Sequence, residues 1–338
     1  EGPLTPRLAQ AKNRTHGGTP PWATADGIDE DSERAMSDAD QHGRPVADDR
    51  HTIASPALTA VVAADGAELT RLRTADGEDL LWHGGPEWPR HAPVLFPIVG
   101  RLVDDTLLHD GRAHRLGQHG FARDRRFAWV ERGADRAVLE LRDDAATRAV
   151  YPFAFRLTLA YAIDGRTLTV TTGVDNPGDR PLPCGVGAHP GFRWPLVDGI
   201  PQERHRLEFE RAESRFILGV RDGLLGAPIP SPIDGHRLRL SPNLFAGDAL
   251  VLPDVASRSV RFVAEDAEGR EIRALTVAWT GFKDLGIWSK PSGAPFLCIE
   301  PWYGMASATD WHGEFGSKPG ILVIEPGGSR RLSWSVTV

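Results

Sequence analysis

Cysteine is nearly missing from this chain: 338 residues carry two, Cys184 and Cys298. A disulfide framework needs more, so that class is excluded. Neither cysteine sits in a CxxC pair or at ligand spacing from a histidine, so no structural zinc site is expected. Long apolar runs are missing too; none approaches the roughly 18 residues that mark a membrane span. The N-terminus lacks the basic-then-apolar pattern of a secretory signal. The expectation from these absences is a soluble, cytoplasmic protein with no membrane partner. There is no excess of basic charge: 39 Lys and Arg stand against 46 Asp and Glu, a net charge of -7. The arginines are interspersed with acids, which argues against a nucleic-acid partner. Helical periodicity is scarce, and no repeat of fixed period divides the chain.

What is present falls into two parts. Residues 1–50 hold ten acids against six bases, are rich in Gly, Pro, Asp and Ala, and have few large apolar side chains. Such a segment buries too little surface to offset its ordering entropy, so it is expected to be a disordered acidic tail. Within it, Asp29 to Ala39 could form a short acidic helix with no apolar face. From residue 51 to 338 the pattern is that of strands, and the Gly and Pro, 36 and 27 in the whole chain, recur there as turn punctuation. Arg156 to Ile163 alternates, with Leu157, Leu159, Tyr161 and Ile163 on one face. Asp164-Gly165 follows, then a second alternating run to Val174, which is a strong hairpin signal. Arg331 to Val338 alternates as well. One all-β domain of many short antiparallel strands is expected over residues 51–338.

Four segments place an ionisable residue inside apolar, Gly- and Pro-rich surroundings. They run from Ala92 to Leu102 (ending Leu-Phe-Pro-Ile-Val-Gly-Arg-Leu), Gln118 to Arg123 (Gln-His-Gly-Phe-Ala-Arg), Gly187 to Phe192 (Gly-Ala-His-Pro-Gly-Phe) and Phe296 to Trp302 (Phe-Leu-Cys-Ile-Glu-Pro-Trp). A buried charge costs several kcal/mol unless it is paired, so charges in such settings usually have a reason. On residue type alone His119 and His189 are more often structural than catalytic, and Glu300 could simply cap a turn before Pro301.

Together with Gly-Ala-Glu-Leu at 66–69, Asp-Leu-Leu-Trp-His-Gly at 79–84 and the Pro326-Gly327 turn, these segments resemble the aldose 1-epimerase (galactose mutarotase-like) superfamily, in its LacX-like branch. The resemblance covers residues 52–338. It implies a β-supersandwich of antiparallel sheets with a sugar site on a concave face. It also implies an isomerase that interconverts the α and β anomers of a hexose without cofactor or metal. Glu300 matches the catalytic base, His189 the acid that protonates the ring oxygen, and His119 a second histidine beside that oxygen. Arg101 resembles the arginine that grips sugar hydroxyls, and Trp302 and Phe192 are candidates for an aromatic floor. Arg123 would suit a phosphate if the sugar carries one. A substrate-binding aspartate has no clear match; Asp234 and Asp284 are the candidates.

Two further readings stand beside the mutarotase. One is a hexose-6-phosphate 1-epimerase using the same chemistry; the other is a non-catalytic carbohydrate-binding or sugar-sensing β-sandwich, which would need no acid–base pair. The expected partner is a small-molecule sugar, and the expected state a monomer or homodimer. Cys184 and Cys298 are read as inert small hydrophobes, Trp82, Trp88 and Trp129 as core, and Trp311 and His312 as an exposed loop.

Overall fold

The structure, a computed structural model, describes residues 49–291 and 293–338. The expected tail and its short acidic helix, residues 1–48, lie outside the described residues. Asp49 and Arg50, placed in the tail by composition, belong to the fold. The Asp49 carboxylate pairs with Arg126 and Arg132 at 2.8 and 2.7 Å, and Arg50 opens the strand Arg50–Ala54, opposite Ala63. Residues 1–48 have a composition that buries little, so deleting them is expected to leave the melting temperature nearly unchanged. Deleting 1–54 removes a strand containing the fully buried Ile53 and should lower it by several degrees in calorimetry.

The fold is all-β. Nine antiparallel strands form one sheet, in the spatial order Arg237–Arg239, His205–Phe209, Ser259–Glu265, Glu271–Thr280, Ser329–Thr337, Thr167–Asp175, Arg156–Asp164, Arg136–Arg142 and Ala128–Arg132. The expected hairpin lies in it, with Thr167 opposite Asp164 and Leu157, Leu159, Tyr161 and Ile163 buried on one face. The C-terminal strand sits at its centre and buries Leu332, Trp334 and Val336. The outer face carries paired charges, such as Glu208 with Arg206, Arg237 and Arg261.

A second sheet runs in the order Leu224–Pro230, Phe216–Arg221, Leu250–Leu252, Asp284–Trp288, Phe296–Tyr303, Val186–Ala188 and Val94–Leu95, with Gly191–Arg193 pairing onto Phe296–Tyr303 as an eighth strand. One continuous hydrophobic core joins the two sheets: Leu159, Phe262 and Val277 from the first meet Leu285, Ile287, Leu297 and Ile299 from the second. Each such large apolar side chain contributes roughly 1.5–3 kcal/mol by leaving water. A three-stranded sheet, Arg50–Ala54, Leu58–Ala63 and Leu69–Thr74, adds Ile53, Leu58 and Leu72 to the same core.

The strand Phe296–Tyr303 positions the site. Nearly all of it is buried, because side chains alternate across a strand and both of its faces are covered. Leu297 and Ile299 enter the core between the sheets. Phe296, Cys298, Glu300 and Trp302 point the other way, under Trp82, Trp88 and Trp288 or toward a cavity.

Candidate active site

A cavity of about 340 Å³ opens on that second face, near the lower end of the range of about 300–1,000 Å³ for small-molecule sites. Its lining includes His119, Arg123, His189, Glu300 and Trp302, together with Trp88, Trp288 and Asp248. Five of the seven residues singled out from sequence thus meet in one place, although more than a hundred residues separate His189 from Glu300.

Glu300 lies opposite Gly286 on the neighbouring strand and is 1% exposed. His189 follows the strand Val186–Ala188 and brings its Nε2 to 3.1 Å from Glu300 Oε2. The contact is close but not aligned as a hydrogen bond: Glu300 Oε2 and His189 Nδ1 are both buried without a hydrogen-bond partner. The imidazole is boxed by aromatic rings, tilted against Trp88 at 5.0 Å and edge-on to Trp288 at 5.7 Å and His119 at 5.6 Å. Burial pushes the Glu300 carboxyl well above the usual range, with the Trp302 indole working in the opposite direction. Burial also pulls His189 down to about 3, helped by the positive charges of Arg123 and Arg90. In the sugar-free site the pair therefore favours a protonated carboxyl facing a neutral imidazole.

His119 is set by a reciprocal clamp. Its backbone N–H donates to the Gly100 carbonyl at 2.8 Å, and the Gly100 N–H donates to its Nδ1 at 3.1 Å. Nδ1 then carries no proton, so the neutral ring bears its proton on Nε2, 3.3 Å from the Gln118 side-chain amide. Burial lowers this histidine as well. Gly100 has φ +69°, and a Cβ there would stand 2.5 Å from that of Ala306. Only glycine lets the two segments close at this point.

Trp302 lies in a trough made by its neighbours. A Cβ on Gly286 would come within 2.3 Å of the indole, and one on Gly187 within 2.7 Å. Arg123 donates through Nη2 to the Gln118 carbonyl at 2.8 Å; its Nε is buried without a hydrogen-bond partner, 3.8 Å from Asp124 Oδ2.

Other expected residues lie elsewhere. Phe192 is fully buried in the core between the sheets: on the short strand Gly191–Arg193 it takes the inward face, so it forms no part of an aromatic floor. Arg101 is not in the lining. Its guanidinium is engaged by Asp105, with Nε and Nη2 donating at 2.7 and 3.1 Å, and it stands beside Gly223 at the rim. Asp284 is fully buried and spends its oxygens on the Asp254 and Gly304 N–H groups and on Lys283. Asp234 closes a surface turn with Arg237. Neither lines the cavity. Asp248, unnoticed in the sequence, is the aspartate that lines the cavity; it sits at φ +77° and accepts from the Ala249 N–H. Trp88, expected in the core, covers the cavity, whereas Trp82 is buried as expected. Trp311 and His312 border a separate small hollow with Val103 and Leu108.

The aldose 1-epimerase family profile matches residues 49–215. The chromosomal LacX protein of Lactococcus lactis subsp. lactis is 30% identical over 292 residues, which span 83% of this chain and 96% of that protein. The chain belongs to the aldose 1-epimerase family, in its LacX-like branch. Membership makes it a carbohydrate epimerase in kind. The fold agrees with this aldose 1-epimerase assignment. A galactose mutarotase related enzyme from Lactobacillus acidophilus superposes with a TM-score of 0.80 at 32% identity, over 85% of this chain and 96% of that one. A galactose mutarotase-like protein from Lactobacillus casei does so at 0.78 and 26%, over 85% and 99%. Among the described residues no helix is long and apolar enough to cross a membrane.

Proposed function

We propose that the chain is an aldose 1-epimerase that interconverts the α and β anomers of a hexose by ring opening and reclosure between Glu300 and His189. The observation that carries this reading is the 3.1 Å approach of His189 Nε2 to Glu300 Oε2 in a cavity of monosaccharide size.

Ring opening needs one proton removed from O1 and one added to O5 while the C1–O5 bond breaks and C1=O1 forms. The open aldehyde turns about C1–C2, and closure reverses both transfers, so no proton is gained or lost. The pair holds one transferable proton. Burial favours it on Glu300 before sugar enters. An O1–H that donates to the carboxylate stabilises the ionised form and draws the proton across to His189. The carboxylate then takes the O1 proton as the imidazolium gives one to O5. Each positioned transfer is worth roughly 10²–10⁴-fold. His119 holds the ring oxygen, Trp302 offers a face to the sugar C–H surface, and Asp248 accepts from hydroxyls.

A second reading, a hexose phosphate as substrate, is favoured by one feature: Arg123 lines the cavity with its Nε lacking a hydrogen-bond partner, and a guanidinium suits a phosphate dianion. Saturation-transfer NMR on glucose, galactose and glucose 6-phosphate separates the two. Accelerated exchange with a free hexose supports the first reading; acceleration confined to the phosphate moves the substrate to the second. No acceleration with any of the three would overturn both.

A further inference from the structure

We propose that His189, Cys298 and Glu300 together form a binding site for a thiophilic divalent cation of the zinc class, and that its occupancy switches off the acid–base pair. The second half of this proposal rests on the function proposed above; the first does not.

Among the described residues these three form a cluster whose donor atoms, imidazole nitrogen, thiol sulfur and carboxylate oxygen, all lie within 4.8 Å of one another. The strand register builds it. Cys298 and Glu300 are two residues apart on one strand and share a face, while Gly191, opposite Cys298, brings the turn carrying His189 alongside. Gly191 also leaves the sulfur room, since even a Cβ there would stand 3.5 Å from it. Around tetrahedral zinc, bond lengths of about 2.0–2.3 Å put neighbouring ligand atoms roughly 3.3–3.6 Å apart. The His189–Glu300 separation of 3.1 Å is within about 0.2 Å of that range, and the sulfur needs to move by about 1.5 Å at most.

Three observations point to a cation rather than to packing alone. Glu300 Oε2, 3.1 Å from His189 Nε2, is buried without a hydrogen-bond partner, so the cluster holds donor capacity that the protein itself does not use. The donor set of thiolate, imidazole and carboxylate selects zinc or cobalt over the all-oxygen preference of magnesium and calcium. His189 and Glu300 also line the cavity while Cys298 lies beneath them. That leaves one coordination position for water or a sugar hydroxyl, the pattern of an exchangeable three-ligand site rather than a closed structural one. Binding releases the thiol proton, and the carboxyl proton where Glu300 holds one, to solvent. Once ligated, Glu300 and His189 no longer exchange protons with a sugar.

Cobalt(II) chloride added to the full-length chain is the direct probe. One equivalent is expected to bind with a near-ultraviolet thiolate-to-cobalt charge-transfer band. Cys298→Ser should lose the band and bind at least tenfold more weakly, whereas Cys184→Ala should keep it. In the NMR exchange assay zinc chloride should inhibit the parent reversibly, with recovery on chelation. Cys298→Ser should keep the basal rate and need at least tenfold more zinc for the same inhibition. Cobalt binding without a thiolate band, or a band that survives in Cys298→Ser, would overturn the site. A band in a protein with no anomerase activity would uphold the site and sink the proposed function instead. Unchanged zinc sensitivity in Cys298→Ser would remove the inhibitory role.

Discussion

Glu300→Gln is expected to slow anomer exchange by about 10²-fold or more while sugar affinity stays within a fewfold. The substitution keeps the shape of a side chain that is 1% exposed and sits between Cys298 and Trp302 on one strand face. It also keeps the charge of the resting state, since burial favours the protonated carboxyl. What it removes is the ability to take and return a proton. A carbohydrate-binding module without catalysis would lose nothing, so retained exchange in Glu300→Gln would end the acid–base reading. Stability should move the other way. With its folded pKa above the unfolded value of 4.5, Glu300 holds its proton in the native chain while the unfolded chain releases it. Parent stability therefore declines as pH rises from about 4.5 through the folded pKa, and glutamine escapes that decline. The variant should melt higher than the parent at pH 8, by a margin that shrinks toward pH 4.5; scanning calorimetry at both ends checks the sign.

Asp284→Ala is expected to cost about 2–4 kcal/mol of unfolding free energy, read from urea midpoints. The fully buried carboxylate accepts from Asp254 N–H at 3.0 Å, from Gly304 N–H at 3.1 Å and from Lys283 Nζ at 2.8 Å through both oxygens. Alanine leaves two backbone donors without their acceptor and the Lys283 ammonium with Asp254 at 3.5 Å in place of its two 2.8 Å contacts. The loss reaches the cavity by a short route. Gly304 leads into Met305 and Ala306, whose carbonyls accept from the buried Lys318 Nζ at 2.6 and 3.2 Å, and Ala306 lines the cavity. Burial lowers Lys318 to about 8 and the Asp284 charge opposes that shift, so removing Asp284 also weakens the ammonium that holds this segment. A cost below about 1 kcal/mol, the net worth of a single ordinary hydrogen bond, would show that Asp284 is not the hub its contacts describe.

Much of the site was legible through the family resemblance, and the residues that carry it also break local rules. A glutamate after Phe-Leu-Cys-Ile, and a histidine inside a Gly- and Pro-rich apolar run, are costly unless something uses them. Alternation likewise exposed the 156–175 hairpin and the last strand, where one residue in two is buried. The remainder depended on geometry that one dimension does not hold. Phe192 sits one residue from Gly191, and only the direction of a three-residue strand sends it into the core. Arg101 and Asp284 are matched by neighbours, Asp105 four residues on and Lys283 one before, and sequence distance alone does not tell which neighbour engages a charge. Trp82 and Trp88 are indistinguishable by composition; covering the cavity separates them. Asp248 lies in Leu-Phe-Ala-Gly-Asp-Ala-Leu-Val-Leu at 244–252, an apolar run like those of the four segments, so the same contrast marks it; the His189–Cys298–Glu300 cluster has no spacing signature because strand pairing assembles it.

The bed of the Trp302 ring has a consequence of its own. Its levelness is inherited from two missing methyl groups on adjoining strands, so the plane against which a ligand would rest is governed by residues that need never meet that ligand. Preference among stereoisomers, which depends on how snugly a pyranose settles there, is thereby open to adjustment from beneath, at Gly187 and Gly286, with the proton-handling pair left as it is.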